Sequence, residues 1–281
     1  MDELRGRTYV VTGANTGVGR VTAHELARLG AQVVLACRSE AKTTPVIDEI
    51  RATTGNAAVE FVPLDLASLV SVRACAEALL ARDLPIHGLI NNAGLAGARG
   101  LTADGFELAF GTNHLGPYLL TRLLLDRLRA SAPARVVNVA SVAHRKARGI
   151  DWDAVRRPTR SRTGLPEYQV SKLCNVLTSR ALARRLEGTG VTTYALHPGV
   201  VATDVWRQVP APVRWVMKRF MITPAQGART QLWCATAPEL ADHSGRYYDA
   251  EREQAPSALA QDDALAEELW ARSAELVGLP A

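Results

Sequence analysis

Thr12-Gly13-Ala14-Asn15-Thr16-Gly17-Val18-Gly19-Arg20 follows directly on Thr8-Tyr9-Val10-Val11, and the stretch Val18–Leu29 after it has helical spacing. A glycine-rich turn alone is weak evidence, because many tight turns look alike. Set between a first strand and a first helix it is strong. Glycine reaches backbone conformations closed to other residues, and it lets bare N–H groups approach a pyrophosphate at the positive end of a helix. The spacing is G-x-x-x-G-x-G rather than G-x-G-x-x-G. The turn marks a strand–turn–helix unit that opens a nucleotide-binding α/β domain.

The rest of the chain repeats that unit. Strands are expected at Thr8–Thr12, Gln32–Cys37, Val59–Leu64, Gly88–Asn91, Arg135–Ala140, Thr192–Leu196 and Gly245–Tyr248, and helices at Val18–Leu29, Leu69–Leu80, Gly105–Leu128, Tyr168–Leu186 and Pro224–Ala235. Several strands are continuous apolar runs, as a parallel sheet needs when helices cover both faces. Gly30, Gly188 and Gly190 stand where helix C-termini should fall. Two inserts break the alternation, at 144–167 and, after His197-Pro198-Gly199, at 200–222. Such inserts are where substrate sites and lids usually lie. The expectation is one α/β domain over residues 1–281, a doubly wound parallel sheet with helices on both faces.

Composition narrows the function classes. The chain has 281 residues, 47% of them apolar, enough to fill a two-sided core. No run of about 20 uncharged apolar residues occurs, so no transmembrane anchor is expected. Met1-Asp2-Glu3 passes almost at once into Tyr9-Val10-Val11, which leaves no place for a signal peptide, and a cytoplasmic protein is expected. Cys37, Cys75, Cys174 and Cys234 form no C-x-x-C pair and read as buried thiols, and the six histidines show no H-x-x-x-H spacing. No metal site is expected. The net charge of +5 is the excess of one segment, where Arg145, Lys146, Arg148, Arg156, Arg157, Arg160 and Arg162 face Asp151 and Asp153. That reads as a solvated basic loop, with no nucleic-acid motif beside it.

The second strand ends Leu35-Ala36-Cys37-Arg38-Ser39. An acid at this point would grip the ribose 2′-hydroxyl of NAD; none is present, and Arg38 is placed to meet a 2′-phosphate. NADP(H) is therefore the expected cofactor. Further along, Tyr168-Gln169-Val170-Ser171-Lys172 puts a phenol and an ammonium four residues apart, on one helix face. A lysine beside a tyrosine favours the phenolate and lowers the tyrosine pKa, which suits proton transfer. Asn91-Asn92-Ala93-Gly94 ends the fourth strand, Asn113 lies in the next helix and Ser141 ends the fifth strand. Carboxyl ends of strands in a doubly wound sheet converge on one crevice, so these groups point to the place the glycine turn occupies.

With these motifs in order, the sequence resembles the short-chain dehydrogenase/reductase family over essentially its full length. Thr12-Gly13-x-x-x-Gly17-x-Gly19, Asn91-Asn92-Ala93-Gly94, Asn113, Ser141, Tyr168-x-x-x-Lys172 and Pro198-Gly199 carry the resemblance. Ala36-Cys37-Arg38, Thr112-Asn113-His114-Leu115-Gly116 and Ala195-Leu196-His197-Pro198-Gly199-Val200-Val201 are similar to its retinol-dehydrogenase-like branch. The resemblance implies a Rossmann-type sheet of about seven strands and a catalytic set of Asn113, Ser141, Tyr168 and Lys172. It implies that Asp65 meets the adenine, Asn92 to Gly94 line the ribose and Thr203 reaches the nicotinamide amide. The implied cofactor surface takes in Gly13, Asn15, Thr16, Gly17, Val18, Gly19, Arg38, Ser39, Asp65, Leu66, Asn92, Ala93, Gly94, Tyr168, Lys172, Pro198, Gly199, Val201 and Thr203. Homodimers or homotetramers are usual in the family.

Two departures stand out. Ser141 and Tyr168 are 27 residues apart, wider than in much of the family though usual for this branch. The hydrophobic N-terminal anchor of many animal retinol dehydrogenases is not seen. The reaction expected is hydride transfer between NADP(H) and a carbonyl or alcohol. A catalytically silent NADP-sensing scaffold would commonly lose the tyrosine or lysine, and a sugar-nucleotide epimerase would show G-x-x-G-x-x-G. From 205 to 222 the chain carries Trp206, Trp215, Met217, Phe220 and Met221. This reads either as a helix packed on the core or, as the resemblance implies, as the substrate lid, whose apolar residues would then suit a lipophilic small molecule.

Overall fold

Strands that are apolar on both sides must be covered on both sides, and the computed structural model, which describes residues 3–201 and 221–280, has that layering. In chain order the elements are β1 (Thr8–Thr12), α1 (Gly17–Arg28), β2 (Gln32–Cys37), α2 (Glu40–Thr54), β3 (Val59–Pro63), α3 (Leu69–Leu80) and β4 (Gly88–Asn91). There follow α4 (Gly116–Ala130), β5 (Ala134–Val139), α5 (Leu165–Arg185), β6 (Val191–His197), α6 (Pro224–Thr236), β7 (Arg246–Asp249), β8 (Arg252–Glu253) and α7 (Asp263–Leu276). The sheet order is β3-β2-β1-β4-β5-β6-β7-β8. The seven longer strands pair in parallel, and the two-residue β8 turns back antiparallel on β7. The order reverses between β1 and β4, which opens the ligand crevice of a doubly wound sheet at their carboxyl ends.

Alternation along each strand splits the core in two. Val10, Val34, Val62, Leu89, Val136 and Ala195 enter one apolar cluster with α3, α4, α5 and α7. Tyr9, Val11, Val33, Leu35, Ile90, Val137, Tyr194 and Leu196 enter the other, with α1, α2 and α6. The four cysteines are buried and unpaired in these layers. Burial pushes the Cys75 thiol up to about 12, so it stays protonated.

The structure departs from the sequence expectations in a few places. Gly105–Leu128 is not one helix. A short helical turn at Leu108–Phe110 passes into a π-helical turn at Gly111–Leu115, and only then does α4 begin. Gly105 has φ +77, outside the helical range. Helices α2 and α7 are additional to the helices expected from the sequence. The first carries Pro45 and four threonines, which blunt the helical signal, yet it buries Val46, Ile47 and Ile50 against the sheet. The second is capped by the Asp262 carboxylate and docks through Trp270, whose ring meets that of Tyr118 edge-on at 5.0 Å. Arg180, Arg184 and Arg185 on α5 pair with Asp263 and Glu267 across the same seam.

The insert at 144–167 opens in a 3₁₀ turn at Val142–Lys146, holds another at Ala154–Arg156, and is irregular between them and up to the start of α5 at Leu165. Its basic side chains are exposed, although Arg156 lies over the Phe106 ring at 4.5 Å. Residues 202–220 lie outside the described residues, so the lid reading and Thr203 do too. The chain on either side is joined, because Val201 and Ile222 form a parallel bridge. Among the described residues no helix is long and apolar enough to cross a membrane, and no cluster of His, Cys, Asp and Glu could hold a metal ion.

Candidate active site

The glycine turn is fastened to its neighbours by backbone groups and one hydroxyl. Gly13 N–H donates to the Ala36 carbonyl of β2 at 2.9 Å. The Thr12 hydroxyl accepts from the amides of Asn92 and Ala93, each at 3.0 Å, and the Asn92 side chain donates to the Thr12 carbonyl at 2.8 Å. The carboxyl ends of β1 and β4 are thus laced together. A methyl group at Gly13 would lie 2.8 Å from Ala93 Cβ, and one at Gly19 would lie 2.6 Å from the Gly13 carbonyl oxygen. Only a chain without Cβ atoms can close up so tightly. Gly13 and Gly17 have φ +65 and +57, where glycine is strongly favoured.

The other expected cofactor residues surround this turn. Burial raises the pKa of the Cys37 thiol, which is held by the Thr43 hydroxyl and by the backbone of Ala14, Asn15 and Gly13. The end of β2 therefore abuts the turn, and the next residue, Arg38, is exposed. Ser39 begins α2, its carbonyl taking the Thr43 hydroxyl at 2.7 Å. At the end of β3 the Asp65 carboxylate accepts from the Ala67 amide at 3.0 Å, and Leu66 is buried. Across the crevice Val18 and Val201 pack with Ala228 of α6. A Cβ at Gly227 would sit 3.1 Å from both the Pro198 carbonyl and a Val18 methyl, which places Pro198 beside the start of α1. Gly199 follows at φ +86. Thr16 caps α1 in extended conformation, with no acidic side chain in the first turn to oppose an anion there.

The second half of the site is built on α5. Tyr168 and Lys172 share one face, with the ammonium 5.7 Å from the centre of the phenol ring. Lys172 Nζ donates to the Val139 carbonyl at 2.6 Å, and Asn175 Nδ2 reaches the same oxygen at 3.2 Å. Asn113 sits in the π turn and is fixed three times. Its Nδ2 donates to the Leu95 carbonyl and to the Ser171 hydroxyl, both at 2.9 Å, and its Oδ1 accepts from Leu95 N–H at 2.9 Å. A π turn offsets the side chain by part of a turn and is a common device at functional positions. A Cβ on Gly94 would stand 3.2 Å from Asn113 Oδ1 and 3.5 Å from Lys172 Nζ, so the end of β4 meets both.

Ser141 follows β5 and shares a hydrogen bond with the Tyr168 hydroxyl. Its own hydroxyl accepts from Ala143 N–H at 3.1 Å. Burial raises the Tyr168 pKa, and the hydrogen bond to Ser141 works against that rise. Burial also drives the Lys172 ammonium down to about 8. The expected lowering of the tyrosine by the lysine is not present in this structure. The amine is engaged by a backbone carbonyl, and in so dry a setting desolvation outweighs its pull on the phenol. Tyr168 is a neutral phenol at physiological pH, the form that can give up a proton.

Asn113, Ser141, Tyr168 and Lys172 are therefore brought to one place, with Gly94 on its border. Sequence reasoning missed the parts that hold them. Ser171 anchors Asn113 and donates its own hydroxyl to the Tyr168 carbonyl at 2.8 Å, and Thr12 staples the turn. Both stand inside quoted motifs, which was the available signal. The Val139 carbonyl has no sequence signal at all, because every residue carries one. An open cavity of about 920 Å³ lies beside α5, lined by Lys146, Arg148, Ile150, Asp151, Pro166 and Gln169 among others.

Comparison with known proteins identifies the family and the fold. Residues 7–153 match the short chain dehydrogenase family. Human retinol dehydrogenase 13 is 44% identical, the match covering 99% of this chain and 86% of that protein. Among solved structures, an uncharacterised protein of Mycobacterium paratuberculosis superposes with a TM-score of 0.77 at 34% identity, covering 98% of this chain and 95% of that one. A protein of Beutenbergia cavernae assigned as an NAD(P)-dependent gluconate 5-dehydrogenase, with NADP bound at low occupancy, superposes with a TM-score of 0.70 at 29% identity over 88% of this chain and 96% of its own.

Proposed function

The chain belongs to the short-chain dehydrogenase/reductase family, in its retinol-dehydrogenase-like branch, and on that premise we propose that it interconverts a lipophilic carbonyl compound and its alcohol using NADP(H). The convergence of Asn113, Ser141, Tyr168 and Lys172 beside the glycine turn carries the reading.

The residues present fit the cofactor. Gly13 and Gly19 let the turn close tightly on Ala93 and on itself, which would bare its N–H groups to a pyrophosphate, and α1 presents its positive end there. Arg38 stands exposed where a carboxylate would favour NAD. Asp65, Asn92, Ala93, Gly94, Pro198, Gly199 and Val201 would complete the cleft, with Lys172 at the nicotinamide ribose. The bound cofactor supplies the hydride in reduction and accepts it in oxidation. The chain's own groups then handle the oxygen and the proton. The Ser141 hydroxyl holds the carbonyl oxygen, Tyr168 protonates it as it becomes an alkoxide, and Lys172 steadies the charge this leaves on Tyr168. Asn113 would anchor a water that passes protons onward.

A lipophilic substrate is supported by the aromatic and Met-rich composition of 205–222 and by the name of retinol dehydrogenase 13. A cytoplasmic location and a homodimeric or homotetrameric assembly belong to the same proposal, and are read by cell fractionation and sedimentation. Following NADPH absorbance with decanal and with glyceraldehyde tests the substrate class, with Trp206→Ala and Trp215→Ala alongside. Decanal should show the higher kcat/KM, and both variants should lower it. A preference for glyceraldehyde that neither variant changes would overturn the lipophilic reading. A folded protein that binds NADPH yet turns over no carbonyl or alcohol would instead indicate a silent sensor.

A further inference from the structure

His144 lies three residues beyond Ser141 and is fully buried, yet nothing in the proposed chemistry uses it. Its Nδ1 faces the Ser141 carbonyl at 2.6 Å, and its backbone N–H donates to the same oxygen at 3.1 Å. On the opposite side of the ring, Nε2 faces the N–H of Ser257 at 3.1 Å. A carbonyl on one side and an amide N–H on the other leave a single workable tautomer, with the proton on Nδ1. The Tyr247 ring meets the imidazole edge-on at 4.9 Å and fixes its plane. Arg145 adds a second tie from this turn to the C-terminal segment, donating to the Ala255 carbonyl at 2.6 Å.

We propose that His144 is a positioning residue for Ser141, a wedge that locks the Ser141–Ala143 turn against residues 255–257 and so aims the serine hydroxyl. Seated this way the turn presents the Ala143 N–H to Ser141 Oγ at 3.1 Å. That contact occupies one lone pair of the hydroxyl, which leaves its proton for the oxygen held beside Tyr168. Burial keeps the His144 pKa low, so the ring stays neutral and Nε2 remains an acceptor for Ser257. A loosened turn lets the hydroxyl leave its place, and a displacement of about 1 Å can matter greatly at a reacting centre.

The inference rests on the role given to Ser141, and a double-mutant cycle separates the two. His144→Phe keeps a ring against Tyr247 and removes both side-chain hydrogen bonds. His144→Asn keeps a donor near the Nδ1 position. In otherwise native protein, His144→Phe should lower kcat about tenfold with KM for NADPH unchanged, and His144→Asn should restore most of it. In a Ser141→Ala background, His144→Phe should change kcat less than about twofold, because the group it aims is gone. Equal losses in both backgrounds, or an unaffected kcat beside a slow Ser141→Ala, would overturn this inference alone. Near-normal turnover of Ser141→Ala would overturn it together with the assignment of Ser141. If His144→Phe does not fold, Ser257→Pro, which removes the N–H that orients the ring, enters the same cycle. A loss present only where Ser141 is intact would support the wedge, and a loss in both backgrounds would overturn it.

Discussion

Replacing Lys172 with methionine should make the cofactor-free protein more stable at neutral pH while destroying its turnover. The ammonium is buried and its pKa is depressed from 10.5 to about 8. That depression corresponds to about 3 kcal/mol of penalty for holding the charged form in the fold. Methionine removes that penalty and fills similar space, but it gives up the hydrogen bond to the Val139 carbonyl, worth about 1 kcal/mol. Asn175 still reaches that carbonyl, at 3.2 Å. The balance at pH 7 favours the variant by about 2 kcal/mol, a rise in Tm of about 3 °C for a chain of this size. The sign reverses with pH. Between pH 8 and 10.5 the unfolded chain binds a proton that the native lysine does not, so the parent gains stability as pH rises through this window. By about pH 11 the parent should be the more stable, by about 1 kcal/mol. Other groups titrate alike in both proteins, so the difference isolates Lys172. Thermal unfolding followed by circular dichroism at pH 7, 9 and 10.5, on both proteins without cofactor, measures it. A variant that is less stable at pH 7, or a difference that does not move with pH, would refute the reasoning.

Tyr168→Phe keeps the ring and loses the proton, so NADPH should bind normally by fluorescence titration while kcat falls by about 10²–10⁴-fold. Near-normal turnover would remove Tyr168 as the acid. Arg38→Asp should weaken NADPH by about 10- to 150-fold and largely spare NADH, since a charge-assisted contact to the 2′-phosphate is lost. Isothermal titration with both nucleotides decides it, and unchanged NADPH affinity would place Arg38 outside the site.

Some of this protein can be read from its sequence without the fold. Runs such as Tyr9-Val10-Val11 and Val33-Val34-Leu35 announce buried strands, because a strand covered on both faces tolerates no polar alternation. The four-residue spacing of Tyr168 and Lys172 already sets them on one face, and the glycine turn carries its own meaning between β1 and α1. Other elements were written less plainly. Helix α7 buries Ala266, Leu269, Trp270 and Ala274 at helical spacing, a signal present in the chain, whereas α2 is obscured by Pro45 and its threonines. The π turn that aims Asn113 left no signal, since its residues are ordinary helix neighbours and the shift comes from what they pack against.

Tertiary structure alone decided what the site residues meet. The 27-residue gap between Ser141 and Tyr168 closes because α5 lies back across β5, and no local pattern encodes that return. The same placement, and not any property of lysine, brings the Lys172 amine to the carbonyl of Val139. It also reverses the expected tyrosine shift. Proximity of a cation along a helix can be read from spacing, but desolvation is set by every atom packed around both groups. In this fold that packing raises Tyr168 and lowers Lys172.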